Sequence, residues 1–367
     1  MKKILFITAF LPSNSAAAEK NTKIMLEDLS SDNIVDLVYF RYSSDEYYKS
    51  PNKNVKVLEF FKISLISKLF NVATHPFLYP IFSVRFNWLN LFKLKRHVRT
   101  GKYDIIICDH SQTFLYAKYL NPTIPKILLS HDVIAQRIQR TSSIAIQKFC
   151  IHSERYCLSQ PNSYVFSFSQ KDCDLIKNIY GIKAFLCLDY IDPKIISAHP
   201  NFIGDYFVFI GKWSRADNLD GVIWFIEKVC PLLKKNIDIK IIGKNFPNKL
   251  LSPLNSVSIE YLGFVDDPYP IIANSKALLA PLFTGAGIKV KVIEALACGT
   301  PVIGTDIAFE GIPNDFSNGM ILANDAKTFA NKLVSFNMGL DERIKMKKRF
   351  IKNYKSITIP EFLKNKV

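Results

Sequence analysis

The chain has no C-x-x-C pair, no zinc-finger spacing, no RNA-binding signature, no internal repeat and no low-complexity tract. Those gaps exclude zinc ribbons, the common nucleic-acid modules, solenoids and disordered tails. No apolar run approaches the roughly 18 residues that a membrane-spanning helix needs. Asp-x-Asp metal chemistry is unsupported too, because Asp266-Asp267 and Asp172-Cys173-Asp174 stand isolated. The cysteines Cys108, Cys150, Cys157, Cys173, Cys187, Cys230 and Cys298 are odd in number and lie in apolar stretches such as IIICDH. They read as reduced core residues of a cytosolic protein.

What is present suits an ordinary globular protein. With 49% apolar and 22% charged residues over 367 positions, the chain exceeds the roughly 250 to 300 residues at which one core stops growing, so two domains are expected. Lys2-Lys3, the run Ile4 to Leu11 and Ala16 to Ala18 imitate a signal peptide. The same run makes a good first parallel strand followed by an amphipathic helix from about Lys20, and we expect no cleavage and a cytoplasmic location.

Short apolar runs then recur: KILFIT, IVDLVYF, KVLEFF, YDIIICD, KILLSH and SYVFSFS, followed by YFVFIG, DIKIIG, SIEYLG, ALLAPL and PVIGT. Helical patterns such as Asp220 to Lys235 and Lys289 to Ala297 separate them. Unbroken apolar strands alternating with helices predict parallel sheets covered on both faces. The fold class is therefore α/β, with two doubly wound Rossmann-like domains. A polar, proline-marked stretch, Asp192-Pro193-Lys194 through His199-Pro200-Asn201, divides a first domain (1–198) from a second (199–345). Residues 346–367 are expected as a helical tail packing back on the first domain. Ligands of open α/β sheets bind beyond the carboxyl ends of strands, which predicts a cleft between two such domains.

LFTGAGIKVKVIEALACGTPVIGT is the most informative segment. Gly285 and Gly287 let backbone N–H groups approach an anion, and the helix that follows adds the positive end of its dipole. Lys289 and Lys291 place cations at that helix start, where they are unfavourable unless an anion is bound. A carboxylate at Glu294, beside the small Ala295, Ala297 and Gly299, can accept two ribose hydroxyls. Read without a ligand, the same segment is a tight turn with solvated lysines.

These blocks, with FVFIGKWSRADNLDGVIWF, IDIKIIGKNFP and SIEYLGFVDDPYPIIANSKALLAPL before them, resemble the nucleotide-sugar domain of group 1 glycosyltransferases, the retaining family four class, over about residues 205 to 313. The first half resembles that family through YDIIICDHSQTFLYAKYL, KILLSHDV and SERYCLSQ. The resemblance implies the GT-B fold, with those two domains facing across their cleft, and a donor site of Gly211, Lys212, Gly243, Phe264, Val265, Gly285, Ala286, Gly287, Ile288, Lys289, Lys291 and Glu294. Within it Glu294 would hold the ribose, Lys212 the diphosphate, and Phe264 and Val265 the base. His131 would lie near the donor sugar, and with Lys212 and Asp109 it forms the catalytic set; His110 and Asp109 end a strand where an acceptor could be oriented. Ala286 stands where the family has a glutamate, Asp217 where it has a lysine, and Ala16 to Ala18 replace a glycine loop. Glu154, Asp189 and Asp192 read as caps or surface carboxylates.

The implied activity is sugar transfer from a nucleoside diphosphate sugar to a glycan or lipid-linked acceptor in bacterial surface-polysaccharide assembly, retaining, with no metal or cofactor. A nucleotide-sugar epimerase and a nucleotide-sugar-binding protein without catalysis stay open beside it. Residues 51–100 carry nine Lys or Arg and one acid, Glu59, half of the net +16. Lys56, Lys62, Lys68, Arg85, Lys93, Lys95, Arg96 and Arg99 are there interleaved with Phe60, Phe61, Phe70, Phe77, Tyr79, Phe82, Phe86, Trp88 and Phe92. This pattern predicts peripheral contact with the inner, anionic face of the plasma membrane; a core position for most of the aromatics is the competing reading, and nucleic acid is not expected.

Overall fold

The computed structural model describes residues 1–14, 17–188, 191–251 and 256–366. Ala16 and Asp189 lie outside the described residues. The chain forms two compact units, Met1–Tyr190 with Ser356–Val367, and Ile191–Lys355.

The first unit is a seven-stranded parallel sheet: β1 (Lys3–Thr8), β2 (Ile34–Arg41), β3 (Val55–Lys62), β4 (Ile105–Asp109), β5 (Lys126–Ser130), β6 (Ser163–Ser167) and β7 (Ala184–Leu186). Its order, β3-β2-β1-β4-β5-β6-β7, reverses direction at β1, whose neighbours β2 and β4 leave a crevice beyond their carboxyl ends. Ile4 to Ile7, Ile105 to Cys108 and Ile127 to Leu129 are wholly buried, as unbroken apolar strands covered on both faces must be. Helices α1 (Ala17–Asp32), α2 (Leu65–Ala73), α3 (Trp88–Gly101), α4 (Ile134–Gln139) and α5 (Ile144–Leu158) provide crossovers. A Ser64–Ser67 capping box starts α2; Asn87 caps α3, which Lys102 ends at φ 50°. Phe82 and Phe86 are fully buried in this unit's core, each contributing roughly 1.5 to 3 kcal/mol through burial.

The second unit is a six-stranded parallel sheet of β8 (Tyr206–Ile210), β9 (Ile237–Ile242), β10 (Val257–Gly263), β11 (Leu278–Ala280), β12 (Val302–Gly304) and β13 (Met320–Leu322), in the order β10-β9-β8-β11-β12-β13. Its direction reverses at β8. Helix α6 (Ala216–Trp224) starts before the predicted Asp220 and runs into a π turn at Phe225–Val229 and a 3-10 turn at Cys230–Leu232, because Pro231 has no N–H to continue the ladder. Helices α7 (Val290–Cys298) and α8 (Leu340–Asn353) complete the unit.

α8 sets where the units divide. Arg343 donates to the carbonyls of Ala273, Ser275 and Lys276, and Lys347 Nζ donates to those of Ile195, Ile196 and Ala198. These bonds hold both residues 346–353 and the short helix Pro193–Ser197 in the second unit, so the borders fall at 190/191 and 355/356 where the sequence suggested 198/199 and 345/346. Helix α9 (Ile359–Lys366) rejoins the first unit. Its Phe362 meets Tyr164, Phe166 and Phe185 with ring centroids 5.0, 4.9 and 5.4 Å apart. Ser356 Oγ accepts from the Leu188 N–H at 2.7 Å, and Lys364 pairs with Asp32 at 2.8 Å. All seven cysteines are buried thiols.

Candidate functional site

Each unit carries a cluster of polar groups at the carboxyl edge of its sheet, beside the strand where the order reverses. In the first unit, Thr8 and Asp109 lie level at the ends of β1 and β4; His110 follows β4 and His131 follows β5. Asp109 is completely buried and accepts from Thr8 Oγ1 at 2.9 Å and Thr22 Oγ1 at 2.7 Å, with its other oxygen 2.6 Å from His131 Nε2. Burial opposes its charge, but His110, His131 and the hydrogen bonds from His131 and Thr22 hold its carboxyl well below the usual carboxylate range.

His110 adopts the left-handed region at φ 70°, which costs a non-glycine residue about 1 to 3 kcal/mol. The turn is kept by the Leu129 carbonyl, which accepts from the His110 N–H at 3.1 Å, and by Thr113, whose N–H and Oγ1 both donate to the His110 carbonyl at 2.9 Å. It lays the His110 ring on that of His131, with centroids 3.7 Å apart and planes 17° from parallel. Burial pushes the His110 imidazole down to about 3; Asp109 works against this, and His131 and Arg85 add to it. His110 is therefore neutral at pH 7. The ring of Phe10 meets His110 edge-on at 4.9 Å, and the buried Arg85 guanidinium lies 4.6 Å from Phe10.

Asp109, His110 and His131 bring three potential metal-ligand atoms within 4.8 Å of one another. The 2.6 Å contact is a direct hydrogen bond, shorter than the separation of two ligands that each stand about 2.0 to 2.2 Å from an ion at tetrahedral angles. As arranged, the trio is a carboxylate–imidazole pair with a stacked second imidazole. Glu154 lies nearby in sequence from α5 and caps α4, accepting from the Ile134 and Ala135 N–H groups at 3.0 and 2.9 Å and from Tyr180 Oη at 2.6 Å. Burial raises its carboxyl to about 7 against those three bonds. Asp192 caps Pro193–Ser197 through the Lys194 N–H.

In the second unit, Gly211 and Lys212 follow β8, Gly243 follows β9, and residues 281–289 lead from β11 into α7. The N–H of Gly211 and the indole N–H of Trp213 both donate to the Ile242 carbonyl at 3.1 Å. Gly243 has φ 126°, and a Cβ there would stand 1.9 Å from the Gly211 carbonyl oxygen; only glycine lets these strand ends meet. Gly285 and Gly287 have φ 107° and 70°. Lys289 is the N-cap of α7, and its Nζ donates to the Gly287 carbonyl at 2.6 Å.

Lys291 points inward: its Nζ donates to Asn218 Oδ1 at 2.8 Å and reaches the Ile210 carbonyl at 3.5 Å. Burial pushes its ammonium down to about 8; Asp217 opposes this, and Arg215 and Lys289 add to it. Asn218 Nδ2 in turn donates to the Lys212 carbonyl at 3.2 Å, which ties Lys212 and Lys291 to one scaffold while the Lys212 side chain stays exposed. Asp217 binds Arg215 through two bonds of 3.0 and 2.6 Å; burial works against its charge, and Arg215 holds it below the usual range. Glu294 Oε1 accepts from Tyr269 Oη at 2.8 Å. Phe264 is half exposed past the end of β10, with Lys244 Nζ 4.6 Å from its ring centre; Val265, Ala286 and Ile288 are partly buried. Arg215, Asn218 and Tyr269 were not marked by the sequence reading, nor were Thr8 and Thr22: each acts only through a partner that the fold brings to it.

Two parallel Rossmann-like sheets, each with its polar cluster at the reversal of strand order, are the elements of the GT-B fold. Residues 204–336 match the family described as glycosyl transferases group 1. Among curated proteins the chain is 24% identical over 268 residues to an uncharacterized 44.6 kDa protein in the cps region of Klebsiella pneumoniae; the match spans 65% of this chain and 66% of that protein, just under two thirds of its length. Among solved structures it is similar in fold to TarM of S. aureus, crystallised with UDP and other ligands (TM-score 0.66, 15% identity, 97% of each chain). WaaG, described as a glycosyltransferase involved in lipopolysaccharide biosynthesis, shares the fold as well (TM-score 0.66, 12% identity, 94% of each chain).

Proposed function

We propose that this protein transfers a sugar from a nucleoside diphosphate sugar to a glycan or lipid-linked acceptor, with retention at the anomeric carbon, in the assembly of a bacterial surface polysaccharide. The observation that carries the reading is the turn before α7. Two left-handed glycines there open backbone N–H groups toward a helix start that already holds two lysines, and such a place is favourable only for an anion. UDP in the similar TarM structure supports a diphosphate as that anion. The cps-region relative and the lipopolysaccharide enzyme support the polysaccharide setting.

In this reading Lys212, Lys289 and Lys291 meet the negative charge that develops as the diphosphate leaves, the task that a metal performs elsewhere. Glu294, steadied by Tyr269, accepts from the ribose. Asp109 orients His131 beside the reacting sugar. The test is incubation of the pure protein with a panel of nucleotide sugars, with and without glycan acceptors. Release of nucleoside diphosphate that an acceptor accelerates is the expected result; isomerised sugar without acceptor identifies an epimerase, and an unchanged donor pool identifies a binding protein.

A further inference from the structure

The first unit carries an apolar surface that its core does not use. Of the aromatics in the basic stretch, Phe61, Phe82 and Phe86 are buried, so the core claims those three. The others sort differently. Leu65, Ile66, Leu69 and Phe70 all lie on the outward face of α2, and none is less than 61% exposed. Phe77 follows at 83%. Trp88, Leu89 and Phe92 form the outward face of the first turns of α3, opposite the buried Leu91, Leu94 and Val98. A fold gains nothing from eight such side chains in water, each of which forgoes burial energy.

The two helices are held as one surface. Asn87 Nδ2 donates to Asn71 Oδ1 at 3.3 Å, and Asn71 Nδ2 donates to the Val84 carbonyl at 3.2 Å. His75 stacks on Trp88, with centroids 5.7 Å apart, and meets Phe86 edge-on at 4.8 Å. The apolar residues are therefore fixed relative to one another by the Asn71–Asn87 amide contact and a ring stack.

Charge lies directly beside them. Continuing along the outward face of α3, apolar residues give way to Lys95, Arg96 and Arg99, all exposed. Lys93 is partly neutralised by Glu59 at 3.3 Å, whereas no ion pair forms at Lys95, Arg96 or Arg99 among the described residues. Lys95 and Arg99 also line an open groove of about 330 Å³ together with Tyr119 and Asn121.

We propose that the outward faces of α2 and α3 form an interfacial anchor for an anionic lipid bilayer, the apolar residues entering the headgroup–acyl boundary and Lys95, Arg96 and Arg99 pairing with lipid phosphates. Charge selects this occupant over a second copy of the chain, since a two-fold contact through the same face would press these cations against their symmetry mates. Apolar side chains at the boundary with cations at headgroup level are the arrangement that binds reversibly without a spanning helix.

The test uses the intact chain and no sugar donor, so it stands apart from the transfer reaction. Co-sedimentation with vesicles of phosphatidylcholine, alone or mixed with phosphatidylglycerol, is expected to show binding at least about 10-fold stronger to the mixed vesicles and weakened by salt. The double variant Arg96→Glu with Arg99→Glu loses that preference. Phe70→Ser with Phe92→Ser loses binding while keeping the circular dichroism of the parent, as exposed positions should. The blue shift of indole emission on the mixed vesicles disappears in Trp88→Phe. Equal binding to both vesicle types, or no binding together with a dimer that Phe70→Ser with Phe92→Ser dissolves, would overturn the proposal.

Discussion

Asp109 is dry and yet ionised, because three groups oppose the cost of burying its charge: two threonine hydroxyls and the His131 imidazole. A carboxylate so held orients His131 more than it titrates. Asp109→Asn is expected to lower turnover on the order of 100-fold, as for other general acid–base and electrostatic partners, while nucleotide affinity measured by calorimetry stays unchanged. A matching fall in nucleotide affinity would assign Asp109 to donor binding instead. His110 gives a prediction about stability. Its folded pKa of about 3 lies below the ordinary value of about 6.5, so the unfolded chain takes up a proton that the folded one refuses. The stability that neutral His110 supports is complete above about pH 6.5 and is lost at about 1.4 kcal/mol per pH unit as pH falls toward 3. Urea titrations of His110→Asn should show a flatter acid limb than those of the parent.

At the scale of elements, the β8, β9 and β11 ends make one cradle, and two changes probe it. Gly243→Ala places a methyl group against the Gly211 carbonyl and should cost about 3 kcal/mol in strain and overpacking, measured by denaturant unfolding. Lys291 titrates near 8, and its ammonium is present below that value and absent above it. Nucleotide affinity should therefore fall as pH rises through about 8, and Lys291→Gln should bind weakly with no such step. These elements were legible in part. The strands β1 to β6 and β8 to β12 announce themselves as unbroken apolar runs, whereas β7 and β13 are three-residue edge strands, half-buried or exposed, with no pattern to betray them. Gly285, Lys289 and Lys291 show in the sequence because four to six residues of spacing carry their meaning. The Thr8–Asp109 bond does not, because 101 residues separate the two and only the reversal of strand order sets them side by side. Asp217 reads as a missing cation in the sequence; in the structure it binds Arg215, two residues earlier.

Over the whole molecule, the chain enters its second unit at Ile191 and leaves it at Lys355 to finish the first. Phe362 is about 1% exposed amid three aromatic rings, and its replacement by alanine should cost the first unit about 3 to 5 kcal/mol. Limited proteolysis during a thermal ramp can follow the units separately: cleavage within residues 1–188 should begin at lower temperature in Phe362→Ala, while residues 191–355 keep the parental onset. Simultaneous failure of both would show that the units unfold as one.

That return of α9 has a consequence for synthesis. A ribosome delivers residues 1–190 early, but Phe362, Leu363 and the Lys364–Asp32 pair arrive only after all of residues 191–355 have been made. The second unit can thus close in chain order, whereas the first waits with Tyr164, Phe166 and Phe185 uncovered until its α9 emerges. Chains ended after Lys355 and released from the ribosome should carry a finished second unit and a first unit that chaperones still recognise.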